Sequence, residues 1–321
     1  MISLRYHIVS LVAVFLALAL GIVVGSTVLK EGTVSILRAT SQGLRQESER
    51  TRTENDALRK ELGRQQEFTT TLLPDLVRGK LAGQSVVLLD TDKVDGDLRG
   101  KVEEALQAAG ADVDARITFS AGRLSLTADA DRAALSRLLA ADAADPVALR
   151  AELAERLAER LATPAALPKA APQRAGDVLT GLDDGNFMAD LKLEGSFTDG
   201  TTPFPRPGSV FVVIGPADGA TLPPDAFLVP LADQVAAHTN NAVAGVEAAT
   251  AGVTPGTTSW ITALRDRPEV TRRVSGIDDV DTTYGQFALV QALQNRLQNQ
   301  PAGQYGVKSG SSGLLPEVPA Q

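Results

Sequence analysis

An uncharged apolar run near the amino terminus, from Ile8 through Leu29, constrains this chain more than any other feature of its sequence. As a helix, this run of about 22 residues would reach about 33 Å at ~1.5 Å per residue, which is enough to cross a hydrocarbon core of about 30 Å. Arg5 directly precedes the run. Because basic flanks stay in the cytoplasm, the sequence predicts a transmembrane anchor at 1–30, a cytoplasmic amino terminus and an extracytoplasmic location for the rest of the chain.

A cleaved signal peptide is the competing interpretation of the same run. Signal peptides have a shorter apolar core, of about 7 to 15 residues, and it ends at a small-x-small cleavage site. The run here is longer, and Val24 to Thr27 matches such a site poorly. The sequence therefore favours an uncleaved anchor, with cleavage as the alternative.

A polar segment without proline until Pro74 follows the anchor and predicts a helical stalk over 31–80. Seam positions seven residues apart are about half apolar, which indicates a weak coiled coil. Within the anchor, two glycines four residues apart can let membrane helices approach closely, although glycine is also common in membrane helices by chance. A homodimer or higher oligomer is expected, and a solvated helix without a partner is the alternative. The candidate helix-pairing positions are Gly21, Gly25, Leu37, Leu44, Asn55, Leu58 and Leu62.

Beyond the stalk, short apolar runs alternate with amphipathic helical patterns. The runs Ser85 to Asp90 and Val210 to Ile214 are bounded by polar residues and are typical of buried parallel strands. Such alternation predicts an α/β fold class, in which an extracytoplasmic α/β domain with a mainly parallel sheet covers 84–300. The remaining predicted features are a helical insertion near 129–162, a proline-rich linker at 163–175 and a disordered tail at 301–321.

The composition excludes several function classes. Cysteine is absent, which excludes thiolate chemistry and zinc fingers. The net charge of −8 and the 4% aromatic content disfavour a nucleic-acid partner. The sequence contains no Gly-Lys-Ser/Thr phosphate loop and no Gly-x-Ser-x-Gly nucleophile elbow. His238 is the only imidazole beyond the anchor and is interpreted as a half-buried structural residue. We therefore expect no enzyme, no cofactor and no dedicated metal site.

Three carboxylates lie just before the final predicted helix, at Asp278, Asp279 and Asp281. Their oxygens could bind a hard cation such as calcium. They could equally cap the helix, with Asp281, Thr282 or Thr283 accepting hydrogen bonds from its free amide groups. The sequence favours the capping interpretation.

Segments at both ends of the chain resemble a known family. They are Met1 to His7, Gly21 to Ser26, Val274 to Thr282, Gly285-Gln286 and Gln304 to Val307. They are similar to the mycobacterial copper transport protein B family of actinobacterial envelopes. The three segments near the carboxyl end carry the signature positions, which are Asp278, Asp279, Asp281, Gly285, Gln286, Tyr305 and Gly306.

The resemblance implies an oligomeric, channel-like envelope protein that exports copper or limits its accumulation, with an outer-membrane location for some members. It also implies an alternative, a non-enzymatic scaffold in envelope assembly and division that binds a second membrane protein and controls peptidoglycan hydrolysis. Copper favours Cys, Met and His ligands. The chain has no Cys, two Met and two His, so copper ions are a partner only through the resemblance. Because one membrane helix cannot line a channel, any pore requires several copies.

Overall fold

The computed structural model describes residues 4–142, 145–169, 173–197, 201–216, 221–252 and 259–317, and the side chains of 4–5, 26–39, 175 and 196 lie outside the description. The chain divides into two compact units, Met1–Glu67 and Phe68–Gln321.

The first unit consists of the long helix α1, Leu4–Val77, up to Glu67. Its stretch Tyr6–Gly25 has a mean hydropathy of 2.9 over 20 residues and is 0% buried. Among the described residues it is the one helical stretch long and apolar enough to cross a membrane. The prediction of an apolar amino-terminal helix is therefore confirmed. The coiled coil stays a prediction, because it needs a second chain.

Within the described residues, the second unit is built on a seven-stranded sheet whose order is β3-β2-β1-β4-β5-β6-β7. All neighbouring strands run parallel except β2 and β3, which are antiparallel. The predicted α/β domain with a mainly parallel sheet is therefore confirmed. The strands are β1 Ser85–Thr91, β2 Asp112–Phe119, β3 Met188–Leu193, β4 Val210–Ile214, β5 Val243–Val246, β6 Val274–Ile277 and β7 Gln304–Tyr305.

Helices cover both faces of this sheet. The described helices after α1 are α2 Gly96–Ala108, α3 Ala121–Leu124, α4 Asp129–Leu139, α5 Pro146–Ala162, α6 Gln173–Gly176, α7 Val178–Asp184, α8 Leu228–Thr239, α9 Trp260–Arg265, α10 Pro268–Thr271 and α11 Thr283–Leu297. In β1, Val86 and Leu88 pack with α2, α11 and the end of α1, whereas Val87 and Leu89 pack with α5, α8 and α9. Covering both faces explains why β1 is a continuous apolar run.

The helical insertion consists of α4 and α5. Helix α4 is followed by its C-cap residue, Ala140, whose φ of 52° lies in the left-handed region. The Asp145 side chain caps α5 by accepting from the Val147 amide at 2.8 Å, and Pro146 stands at the first helical position. An aspartate at the N-cap and a proline at the first helical position are both typical of helix starts.

The carboxyl-terminal segment corrects one prediction. It was expected to be disordered because it is rich in Gly, Ser and Pro, but Gln304–Tyr305 forms strand β7 beside β6. The Asn295 side chain also donates a hydrogen bond to the Glu317 carbonyl at 3.1 Å. Composition alone missed the segment because its order depends on contacts with distant parts of the chain. Residues 318–321 of the expected tail lie outside the described residues.

The predicted proline-rich linker is tied to the same unit. Ala165 and Phe204 exchange two backbone hydrogen bonds, of 3.2 and 3.0 Å, and the short helix α6 begins at Gln173. Positions 170–172 lie outside the described residues.

Candidate functional site

Buried charges gather where β5 and β6 end. In open α/β sheets, ligands bind beyond the carboxyl ends of the strands. Glu247 follows β5, Asp278 and Asp279 follow β6, and all three are 0% exposed. Arg265 from the end of α9 and Lys308 from the segment after β7 supply positive charge. We call these five residues the carboxyl-edge cluster.

Asp278 holds the segment after β7 against the sheet through hydrogen bonds. Its carboxylate accepts from Arg265 Nη1 at 2.6 Å and from the backbone amides of Val307 and Lys308 at 2.8 and 3.1 Å. Arg265 Nη2 also donates to the Tyr305 carbonyl at 2.8 Å. Gly306 has a φ of +123°, and a Cβ there would lie 2.3 Å from Asp278 Oδ1. Glycine is therefore required where the backbone passes this carboxylate.

Glu247 joins three separate segments. Its Oε1 accepts from Lys308 Nζ at 2.7 Å and from the Ser259 hydroxyl at 2.5 Å. Its Oε2 accepts from the Trp260 amide at 3.0 Å, at the start of α9. Burial raises the pKa of Glu247, and the Lys308 charge opposes that rise. Both oxygens are occupied by donors of the chain, so this carboxylate is a structural partner and not an open metal ligand.

Asp279 differs from its neighbours because both of its buried carboxyl oxygens lack a hydrogen-bond partner among the described residues. Burial, followed by the charges of Asp278 and Asp281, raises the pKa of Asp279 to about 7. A Cβ at Gly285 would lie 2.1 Å from the Asp279 carbonyl oxygen, so glycine lets α11 start close to this residue.

The start of α11 carries a side-chain cap, which is the interpretation that the sequence favours. Thr282 is the N-cap, and its hydroxyl accepts from the Gly285 amide at 3.1 Å. Asp281 instead accepts from the Ala249 amide at 2.7 Å, which ties α11 to the loop after β5. The Gln286 amide donates to the Thr282 carbonyl at 3.0 Å within the first turn.

The structure thus brings most signature positions together. Asp278, Asp279, Gly285 and Gly306 lie in one buried region, and Tyr305 pairs with Ile277 in the β6–β7 ladder. Sequence reasoning missed the partners Glu247, Arg265 and Lys308. Glu247 could have been found from the sequence, because it is an acid that directly follows the apolar run ending at Val246. No local sequence pattern identifies Arg265 or Lys308 as a partner of these acids.

The indole of Trp260 fills the space over the ends of β4 and β5. A Cβ at Gly215 would lie 1.7 Å from Trp260, and one at Gly245 would lie 2.5 Å from it. The indole Nε1 donates to the Val246 carbonyl at 2.9 Å. The indole therefore fills the carboxyl edge above β4 and β5, beside the point between β1 and β4 at which the strand order reverses.

The candidate helix-pairing positions are all on α1. A Cβ at Gly21 or Gly25 would meet nothing within 4 Å in the single chain. Leu44, Leu58 and Leu62 are exposed, as is Asn55. The side chain of Leu37 lies outside the description. Because the structure holds one chain, pairing through these positions stays a prediction.

His238 corrects a second expectation, because it is exposed instead of half-buried. Glu155 and Glu159 of α5 lie beside it, and the potential ligand atoms of the three side chains are all within 4.8 Å of one another. The sequence places these residues about eighty positions apart, so the group becomes visible only through the packing of α5 against α8.

Comparison with known proteins identifies the family. The family model described as "Copper transport outer membrane protein, MctB" matches residues 1–316. The copper transporters MctB of Mycobacterium tuberculosis and Mycobacterium bovis are 37% identical to this chain over 120 residues. That alignment covers 37% of this chain and 38% of each relative. The family model spans nearly the whole chain, including the anchor and the carboxyl-edge cluster, and the chain therefore belongs to the MctB family of copper transport outer membrane proteins.

Proposed function

We propose that this protein is a membrane-anchored envelope protein that limits copper accumulation by moving copper across the envelope as an oligomer. The observation that carries the proposal is the family match over residues 1–316. Two curated relatives named as copper transporters support the substrate.

The anchor supports an assembly of several copies. The stretch Tyr6–Gly25 is 0% buried in the single chain, and one span cannot enclose a path for an ion. Gly21 and Gly25 offer a close-packing surface for neighbouring spans. Arg5 before the span favours a cytoplasmic amino terminus, with the α/β domain on the extracytoplasmic side.

The test is copper accumulation in a strain that lacks the gene. We expect intracellular copper to rise in that strain and to return to normal when the full chain is restored. The variant Gly21→Leu/Gly25→Leu should not restore it, because larger side chains separate the spans. Ala19→Leu is the matched control, since at about 100° per residue it lies well away from the glycine face. Normal copper in the deletion strain, together with no ion conductance of the purified protein, contradicts the proposal.

A second candidate function is a scaffold that binds another envelope membrane protein and controls peptidoglycan hydrolysis. Two features support it. Glu247 and Asp278 have their carboxylates occupied by internal partners, and the stalk exposes Leu44, Leu58 and Leu62.

In-cell photo-crosslinking from position 58 tests the scaffold. A crosslink to a second membrane protein, together with altered peptidoglycan hydrolysis in the deletion strain, supports it. Crosslinks only between copies of this chain, with unchanged hydrolysis, count against it.

A further inference from the structure

Three potential metal ligands meet on the surface of the α/β domain, away from the carboxyl-edge cluster. Glu155 and Glu159 lie one turn apart on the same face of α5, and His238 lies in the last turn of α8. Their ligand atoms are all within 4.8 Å of one another, and all three side chains are exposed. We propose that Glu155, Glu159 and His238 form a surface site for a divalent transition-metal ion.

The packing of two helices holds these residues together. Leu153 and Leu157 of α5 and Leu231 and Val235 of α8 are 0% exposed and belong to the same core cluster. Because an amphipathic helix presents its polar residues beside its apolar stripe, burying these stripes brings the polar edges of α5 and α8 together. All three residues of the site therefore lie in regular helices and not in loops.

A hydrogen bond within α8 orients the imidazole ring of His238. Its Nδ1 lies 3.0 Å from the Gln234 carbonyl oxygen. A carbonyl can only accept, so Nδ1 carries a proton in this hydrogen bond, and whenever the ring is neutral Nε2 keeps its lone pair. Metal-bound histidines usually donate their other ring N–H to such an acceptor, which fixes the tautomer and the ring orientation.

Among the described residues, the two glutamates, Glu155 and Glu159, form no ion pair with an arginine, although both carboxylates interact electrostatically with the nearby Arg156. Arg156 and Arg160 lie next to them in sequence. Arg156 pairs with Glu152 at 2.8 Å, and Arg160 pairs with Asp177. In addition, the carboxyl-terminal end of α8 carries partial negative charge, which favours a cation near His238.

The ligand set indicates the class of ion. Calcium and magnesium prefer oxygen ligands alone, whereas one imidazole nitrogen with two carboxylates suits zinc or copper(II). The general order of affinities places copper(II) above zinc. Three protein ligands leave the remaining coordination positions to water or to an exchangeable ligand.

The test uses the full-length protein in detergent micelles with one equivalent of Cu²⁺. We expect the electron paramagnetic resonance spectrum to show coupling to an imidazole nitrogen. His238→Ala should remove this coupling, and His7→Ala, which replaces the only other histidine, should leave it unchanged. Coupling that survives in His238→Ala, or that disappears in His7→Ala, overturns the proposal.

The glutamates are tested by competition with a chelator for Cu²⁺. Glu155→Gln/Glu159→Gln should weaken binding by about tenfold or more, as is typical when a metal site loses supporting groups. Glu104→Gln is the control, because Glu104 is exposed on α2. Circular dichroism verifies that each variant is folded. Equal affinity in the glutamate pair variant and the control contradicts the site, and that result leaves the proposed copper transport function untouched.

Discussion

At the scale of single residues, Asp279 places an unpaired carboxyl group in a buried region. Burial and the charges of Asp278 and Asp281 raise its pKa from the ordinary aspartate value of 3.8 to about 7. The folded state therefore binds this proton more tightly than the unfolded state does. The resulting stability is fully present below the unfolded pKa and is lost as the pH rises through the folded value.

Asp279→Asn should remove this pH dependence, because asparagine has the same shape and no charge. We expect the variant and the original chain to have similar unfolding free energies near pH 4. By pH 8 the variant should be more stable, by at most about 4 kcal/mol at ~1.4 kcal/mol for each pH unit between the two pKa values. Fluorescence of Trp260, the single tryptophan, reports unfolding of this unit.

Asp266→Asn is the matched control for this measurement, because Asp266 is exposed. It should show no pH-dependent difference from the original chain. If the difference in unfolding free energy between Asp279→Asn and the original chain stays constant from pH 4 to pH 8, the pKa of Asp279 is not raised by folding.

Lys308 gives a second prediction at this scale. Its ammonium group lies 2.7 Å from Glu247, whose carboxylate is completely buried. Lys308→Met leaves that charge without its partner, which should cost about 3 to 5 kcal/mol. Glu247→Gln/Lys308→Met should cost less than the sum of the two single changes, because the residues form one interaction. Urea unfolding followed by Trp260 fluorescence gives the four values, and additive costs would refute the coupling.

At the scale of elements, β7 depends on Asp278, the buried acid that follows β6. Gly306→Ala would bring a Cβ within 2.3 Å of Asp278 Oδ1 at a φ of +123°. We expect it to detach β7, with a cost of about 1 to 3 kcal/mol. Hydrogen exchange should become faster at 304–308 while β1 stays protected.

Gly96→Ala serves as the control for Gly306→Ala. Gly96 lies at the start of α2, where a Cβ would meet nothing within 4 Å. It should leave exchange at β7 unchanged. If hydrogen exchange at β7 is unaltered in Gly306→Ala, Asp278 does not stabilise the position of this strand.

Pairing of α1 is a further prediction for an element. Gly21→Leu/Gly25→Leu should reduce the fraction of dimer or higher oligomer, because close approach of two spans needs small residues. Chemical crosslinking in membranes measures that fraction, with Ala19→Leu as the control. Equal crosslinking of both variants would place the contact elsewhere on the helix.

The same scale shows what the sequence could predict. The strands β1 and β4 are buried on both faces, so their apolar runs identify them. Strand β3 is largely exposed at the edge of the sheet, β6 has four residues and β7 has two, so none carries a clear pattern. Short strands of this kind are defined by pairing with neighbours and not by composition.

The carboxyl-edge cluster was predictable only in part. Asp278 and Asp279 stand out because they adjoin a helix start, and Thr282 was among the expected caps. Lys308 and Arg265 come from segments whose positions depend on the tertiary fold. The same limit applies to His238, whose glutamate neighbours belong to a helix far away in the sequence.

At the scale of the whole molecule, the chain combines one apolar helix with an α/β domain whose acids Glu247 and Asp278 are occupied internally. With one candidate span among the described residues, the transport that we propose would require several copies, whose spans together supply the path. We therefore expect the function of the protein to depend on its assembly.

Copper flux through the purified full-length protein in phospholipid vesicles tests this account most directly. A trapped copper-sensitive dye would report entry of copper. We expect vesicles with the original chain or Ala19→Leu to admit copper faster than protein-free vesicles, and vesicles with Gly21→Leu/Gly25→Leu to admit it no faster. Copper entry no faster with the original chain than without protein would contradict it.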